Sequence, residues 1–270
     1  QIWRKKMANE FEIKKQMCEI GRRIYQREMV AANDGNFSVK LDDNTFLCTP
    51  TGVSKGFMTH EMICKVDANG NSKQNNGKWK PSSEIKMHMR VYKQRPDVTS
   101  VVHAHPQYAT AYAIAGIPLT EKIMPEAVIF LGEVPIADYG LPSTMEIPDA
   151  VEPYLECYDA VLLENHGALS WGQDLLSAYF KMESLEFYAS LAYKAKALGG
   201  AKEFSDAEVE RLYELRRQFN VPGRHPANCV DGVCTTGAPK TTATNTATAK
   251  TSVSPEQLEA IVKKVISELK

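Results

Sequence analysis

Val98-Thr99-Ser100-Val101-Val102-His103-Ala104-His105-Pro106 is a β-branched run that ends in a His-x-His pair. In an extended strand residues i and i+2 share a face, so both imidazoles point the same way and can grip one cation. Pro81-Ser82-Ser83-Glu84 lies upstream, and Leu162-Leu163-Glu164-Asn165-His166-Gly167 adds a third imidazole just after another apolar run. Three neutral imidazoles around an open position suit a catalytic Zn²⁺ or another divalent first-row metal, with Glu84 as carboxylate ligand or base. For the pair alone, the competing reading is two satisfied polar rings in a sheet.

Outward from this strand, apolar periodicity marks the other elements. Phe11, Ile13, Met17, Ile20, Ile24 and Val30 recur at helical spacing, which predicts an opening helix with one face on the core. Residues 37–41 and 45–49 read as a hairpin across Asp42-Asp43-Asn44. Pro81-Ser82-Ser83-Glu84 opens a helix whose Ile85, Met89 and Tyr92 share a face. Further on come a helix over 108–115, two short strands at 127–131 and 134–137, and a helix over 147–156. A strand over 160–163 leads into His166; a long helix over 174–197 and another capped by Ser205 and running to about 219 complete the domain. Helices and hairpins do not alternate regularly. The expected fold is therefore α/β, a three-layer α/β/α sandwich around a largely antiparallel sheet, rather than a doubly wound parallel sheet.

The 270 residues, 43% hydrophobic and 24% charged, suffice for one core of about 200 residues plus appendages. The expected division is a catalytic domain over 8–222, a flexible linker over 223–253 and an amphipathic helix over 254–270; residues 1–7 carry no motif. A formal net charge of −1 gives no electrostatic case for nucleic acid or an anionic membrane surface. The expected partner is a small molecule. No apolar run approaches the ~20 residues of a membrane helix and no signal core is evident, which predicts a soluble, cytoplasmic protein. Six scattered cysteines predict reduced thiols, and His225-x3-Cys229-x4-Cys234 reads as a loop rather than a metal site.

Gly35-Asn36 and Thr51-Gly52 let backbone N–H groups approach a ligand closely. Ser82 and Ser83 place hydroxyls and amides at a helix N-terminus, where a phosphate is favoured. Taken singly, these are ordinary turns and a cap; beside Glu84 and three histidines they suggest an anionic substrate.

Gly35-Asn36-Phe37-Ser38, Thr49-Pro50-Thr51-Gly52, Pro81-Ser82-Ser83-Glu84, Val102-His103-Ala104-His105 and Asn165-His166-Gly167 resemble, in order and spacing, the class II aldolase/adducin family, and within it the fuculose-phosphate aldolases. The likeness spans roughly residues 10–220. It implies an α/β/α sandwich assembled as a homotetramer, with one Zn²⁺ per subunit on His103, His105 and His166. Glu84 matches the family's acid/base carboxylate and further metal ligand, and Gly35, Asn36, Thr51, Gly52, Ser82 and Ser83 its phosphate pocket. The implied reaction is retro-aldol cleavage of a 6-deoxyketose 1-phosphate (L-fuculose 1-phosphate or L-rhamnulose 1-phosphate) to dihydroxyacetone phosphate and L-lactaldehyde. The family's tyrosines at the aldehyde end fall at Met124 and Phe219, with Tyr139 or Tyr213 as substitutes. An L-ribulose-5-phosphate 4-epimerase is the alternative, although family epimerases carry aspartate where this chain has Glu84. An adducin-like interaction domain would lack the metal histidines.

After residues 235–254, poor in large apolar side chains and read as a tether, Leu258, Ile261, Val262, Val265, Ile266 and Leu269 form one apolar stripe. A short helix of this kind is marginal alone and must dock on something. It resembles the encapsulation peptides that bring enzymes into bacterial microcompartments, which implies shell or cargo proteins as partners of 254–270 and the microcompartment lumen as location.

Overall fold

The β-branched run ending at His103 sits at the centre of the sheet that organises the chain. The computed structural model describes residues 10–73 and 77–225, with the backbone of 229–230 and 233–234. Among these, β1 (Asn36–Asp42), β2 (Thr45–Cys48), β3 (Cys64–Val66), β4 (Ser100–Ala104), β5 (Ile136–Ala137), β6 (Ala160–Leu163) and β7 (Gly167–Gly172) form one sheet, ordered β3-β2-β1-β4-β7-β6-β5. All pairings are antiparallel except β5 with β6. β4 is covered on both faces and buried at every position, so its sequence shows a continuous β-branched run rather than alternation.

Two helical layers sandwich the sheet. Val102 and Ala104 of β4, Phe37 and Val39 of β1 and Leu162 of β6 join one core with α1 (Glu10–Gln26), α3 (Gln107–Ile114) and α5 (Leu175–Ala197). Val101, Val161, Leu163, Leu169 and Trp171 face the other way, onto α2 (Ile85–Gln94) and α4 (Glu146–Val151). Strand alternation assigns His103 to the α2 side with Val101. α5 starts in a capping box between Asp174 and Ser177, and α6 (Asp206–Gln218) in one between Ser205 and Glu208. The three-layer sandwich with a largely antiparallel sheet is thus the architecture expected from the sequence.

Three local expectations change. Residues 127–131 form a single π-helical turn, not a strand: Val128 N donates to Met124 O and Gly132 N to Ala127 O. A short apolar run satisfies burial in either form, so its pattern alone does not separate them. The strand expected at 134–137 shrinks to β5, with Val134 in an isolated bridge to Leu119. The helix over 147–156 stops at Val151 and passes into a 3₁₀ turn (Glu152–Tyr154) at Pro153. β3 and β7 had no counterpart among the strands expected from the sequence.

A buried carboxylate ties the layers together. Asp159, 3% exposed, accepts from Arg95 Nη2 at 2.8 Å and Lys181 Nζ at 2.6 Å, and Arg224 N donates to its Oδ2. Residues 223–225 therefore pack on the domain, with His225 Nε2 donating to Val128 O at 2.7 Å. Cys229–Val230 (β8) and Val233–Cys234 (β9) pair antiparallel; the rest of the expected linker and the helix over 254–270 lie outside the described residues. Cys18, Cys48 and Cys64 are free, but Cys157 is disulfide-bonded, so the expectation of reduced thiols fails there; sequence spacing carries no information about which sulfurs meet in space. No helix among the described residues is long and apolar enough to cross a membrane.

Candidate metal centre and anion cleft

Three backbone features bring the imidazoles together. His103 sits on β4 opposite Asn36 of β1 and Leu169 of β7. His105 lies one residue past the strand end, its N–H donated to Met29 O at 2.9 Å. His166 occupies the β6–β7 turn, where Asn165 takes φ +54° and His166 N donates to Leu163 O. The turn closes on β4 because Gly167 has no side chain: a Cβ there would stand 2.6 Å from Ala104 O and 2.7 Å from His105 Cδ2.

The ring centroids are 4.8 to 5.1 Å apart, and the three candidate ligand atoms all lie within 4.8 Å of one another. His103 Nδ1 donates to Ala168 O at 2.9 Å, so its Nε2 carries the lone pair; that atom is 3.1 Å from His105 Nε2. Tetrahedral zinc with Zn–N bonds of about 2.0–2.1 Å separates its nitrogens by about 3.3 Å. Burial, reinforced by the neighbouring imidazoles, holds the His103 pKa well below the ordinary value. Burial lowers that of His166 as well, against the pull of the Glu84 carboxylate. Both rings are held in the neutral form that binds a metal. The donor set fits a divalent cation.

Glu84 stands at the N-cap of α2 but makes no capping bond with its side chain. The carboxylate turns instead to the histidines, Oε1 3.3 Å from His166 Nε2 and Oε2 3.6 Å from His103 Nε2, while Asn36 Nδ2 donates to Oε2 at 2.7 Å. Asp34 was not picked out from the sequence, yet its Oδ2 lies 3.5 Å from His105 Nδ1, within ion-pair distance of that ring. Its place in the Asn33-Asp34-Gly35-Asn36 turn was the available signal.

A cleft of about 220 Å³ opens beside the triad, lined by Gly35, Asn36, Thr51, Ser82, Ser83 and Glu84 among others. Gly35 adopts φ +73°, and a Cβ there would meet Val30 Cγ1 at 2.6 Å. Gly52 is not among the lining residues. Not every expected donor is available: Thr51 N donates to Lys80 O, and Glu84 N to Ser82 Oγ at 3.3 Å. Ser83 Oγ accepts from Ser143 Oγ at 2.8 Å. Lys55 also lines the cleft and is 1% exposed; sequence reading missed it because a lone lysine in a turn has no periodicity to mark it. Among the aldehyde-end candidates, Met124 packs on the core, Tyr213 lies edge-on to His225 at 5.3 Å, and Phe219 and Tyr139 are 60% and 53% exposed.

Fold and site together define an α/β/α enzyme scaffold with a three-histidine, one-carboxylate centre at the edge of an anion-sized cleft. The family profile described as Class II Aldolase and Adducin N-terminal domain matches residues 15–193, and the chain belongs to that family. An L-fuculose phosphate aldolase of Methanococcus maripaludis is 36% identical over 178 residues, 66% of this chain and 94% of that protein. A 3-oxo-tetronate 4-phosphate decarboxylase of Haemophilus influenzae is 34% identical over 205 residues, covering 74% and 95%. A solved L-fuculose 1-phosphate aldolase superposes with a TM-score of 0.70 at 31% identity, covering 79% of this chain and 98% of the other. The chain is a class II aldolase, an aldehyde-lyase, most like the fuculose-phosphate aldolases.

Proposed function

We propose that the chain cleaves a 6-deoxyketose 1-phosphate, L-fuculose 1-phosphate or L-rhamnulose 1-phosphate, to dihydroxyacetone phosphate and L-lactaldehyde. The observation that carries this reading is the convergence of His103, His105 and His166 on one point faced by Glu84. These histidines would hold one Zn²⁺, with Glu84 in reach as a further ligand. A divalent cation there supplies Lewis acidity toward the negative charge that develops as C3–C4 breaks. The C4 hydroxyl loses its proton to solvent as it becomes the aldehyde carbonyl, and Glu84, aimed by its contact with Asn36, delivers a proton to C3 and is reprotonated from solvent, so that no net proton is gained or lost. Ser82, Ser83, Thr51, Asn36 and Gly35, which line the cleft, would form the phosphate pocket, with Gly52 in the adjoining turn outside the lining; the pocket sets the register of the substrate chain and so the bond that breaks.

A second reading is favoured by the decarboxylase relatives, which match more of this chain than the archaeal aldolases do. Loss of CO₂ from a 3-keto acid phosphate develops the same kind of charge and uses the same phosphate anchor. Purified protein with its metal content measured should be assayed with L-fuculose 1-phosphate, L-rhamnulose 1-phosphate, L-ribulose 5-phosphate and 3-oxo-tetronate 4-phosphate. Dihydroxyacetone phosphate release identifies the aldolase, CO₂ the decarboxylase, an isomerised pentose phosphate the epimerase. Protein without metal and without any product would be a binding module.

Assembly as a homotetramer is part of this reading, supported by Phe130, Phe180 and Phe187, exposed around a groove of about 900 Å³. Residues 254–270 would dock on shell or cargo proteins of a bacterial microcompartment, which suits an enzyme releasing a reactive aldehyde. Deleting 235–270 is expected to leave solution kinetics unchanged and abolish co-purification with shells, and fusing 254–270 to a reporter to confer it. A truncated enzyme that still enters shells, or loses its tetramer, would place the tail in the enzyme's own architecture.

A further inference from the structure

Lys55 is a buried cation that no carboxylate among the described residues meets in ion-pair contact, although Asp34 and Glu84 act on it at longer range. Its Nζ donates to Asn33 O at 2.7 Å and to Val53 O at 2.8 Å, and it has no ion-pair partner among the described residues. Both carboxylates that face the cleft turn elsewhere, Asp34 to His105 and Glu84 to His103 and His166. The lysine is fixed from behind as well: a Cβ on Gly21 of α1 would stand 2.3 Å from Lys55 O.

A desolvated ammonium is heavily penalised unless an opposite charge or several acceptors replace water. Two carbonyls use two of its three protons, leaving the third for the cleft that Lys55 lines. Among the described lining residues Lys55 is the one lysine or arginine, set against Asp34 and Glu84. Without its charge the cleft would repel any anion brought to the Ser82 and Ser83 hydroxyls.

We propose that Lys55 is the counter-charge for the substrate's phosphate group, a binding residue in the wall of the cleft that Thr51 and Ser83 also line. The proposal rests on the phosphate-pocket reading given above and extends it to a residue outside the turns and the helix N-terminus. Its two carbonyl bonds hold the ammonium in place before substrate arrives, so little ordering cost remains on binding.

Inorganic phosphate titrated calorimetrically into full-length protein tests this, both zinc-loaded and after chelation so that no metal can hold the anion. Lys55→Gln keeps a donor for one carbonyl without the charge, Lys55→Met removes both, and Ser83→Ala probes the pocket independently. Loss of one charge-assisted hydrogen bond predicts phosphate binding roughly 10- to 100-fold weaker in both Lys55 variants, with zinc content retained. If Ser83→Ala weakens phosphate and the folded Lys55→Gln protein binds it within twofold of wild type, Lys55 is only a bolt between the two loops and the proposal is overturned. If Ser83→Ala and both Lys55 variants leave binding unchanged, the phosphate-pocket reading fails and this proposal fails with it.

Discussion

The side-chain amide of Asn36 donates to Glu84 Oε2 at 2.7 Å, from a β1 position directly opposite His103. One amide thus aims the carboxylate that faces the histidine triad. Glu84→Gln should lower kcat by about 10²- to 10⁴-fold with metal content and Tm held, because an amide cannot carry the proton. Asn36→Ala should lower kcat less, through a carboxylate free to turn away. Turnover of Glu84→Gln within a few-fold of wild type would move the acid/base role elsewhere.

Alanine at His103, His105 or His166 should strip the protein of metal, as read by elemental analysis after dialysis. His103 is fully buried and lies in the central strand, so its variant should also melt lower, whereas His166→Ala should keep its Tm. Retention of stoichiometric metal by all three variants would show that the site was misplaced.

Gly167→Ala forces a Cβ against Ala104 O and His105 Cδ2. The expected cost is about 1–3 kcal/mol in stability, typical of overpacking, together with weaker zinc binding as His105 is pushed aside. Denaturant unfolding and a competitive zinc titration measure the two separately. Wild-type values in both would mean that the β6–β7 turn can shift without cost.

Burial, with Arg216 beside it, pushes the His225 pKa down to about 3. An unfolded histidine titrates near 6.5, so below that pH the unfolded chain takes up a proton that the folded one refuses. Stability from this residue is complete above about pH 6.5 and is lost as pH falls toward 3, by up to about 1.4 kcal/mol per pH unit. His88, also buried and lowered to about 3, adds a slope of the same sign. His225→Gln should flatten its share of the acid limb in denaturant unfolding at pH 6.5, 5.5 and 4.5. An unchanged slope would show that His225 is not buried as a neutral ring.

Periodicity and spacing along the chain were enough to specify the sandwich, the long helices and the types of residue at the candidate metal centre. Helical and strand periods are local, and a β-branched run such as Val98 to Val102 declares a buried central strand without any neighbour. The His-x-His spacing likewise aims two rings together within one strand. It took the folded chain to show that Ala127–Leu131 coils into a π turn, that Glu84 leaves its helix cap for the triad, and that Asp34 and Lys55 stand at the cleft. Each of these depends on groups distant along the chain: the Glu84 carboxylate on an amide 48 residues away, the Lys55 ammonium on a carbonyl 22 residues away. A one-dimensional pattern records which residue can hydrogen-bond or bear charge, but the desolvation and pairing that assign its role arise only where the layers close around it.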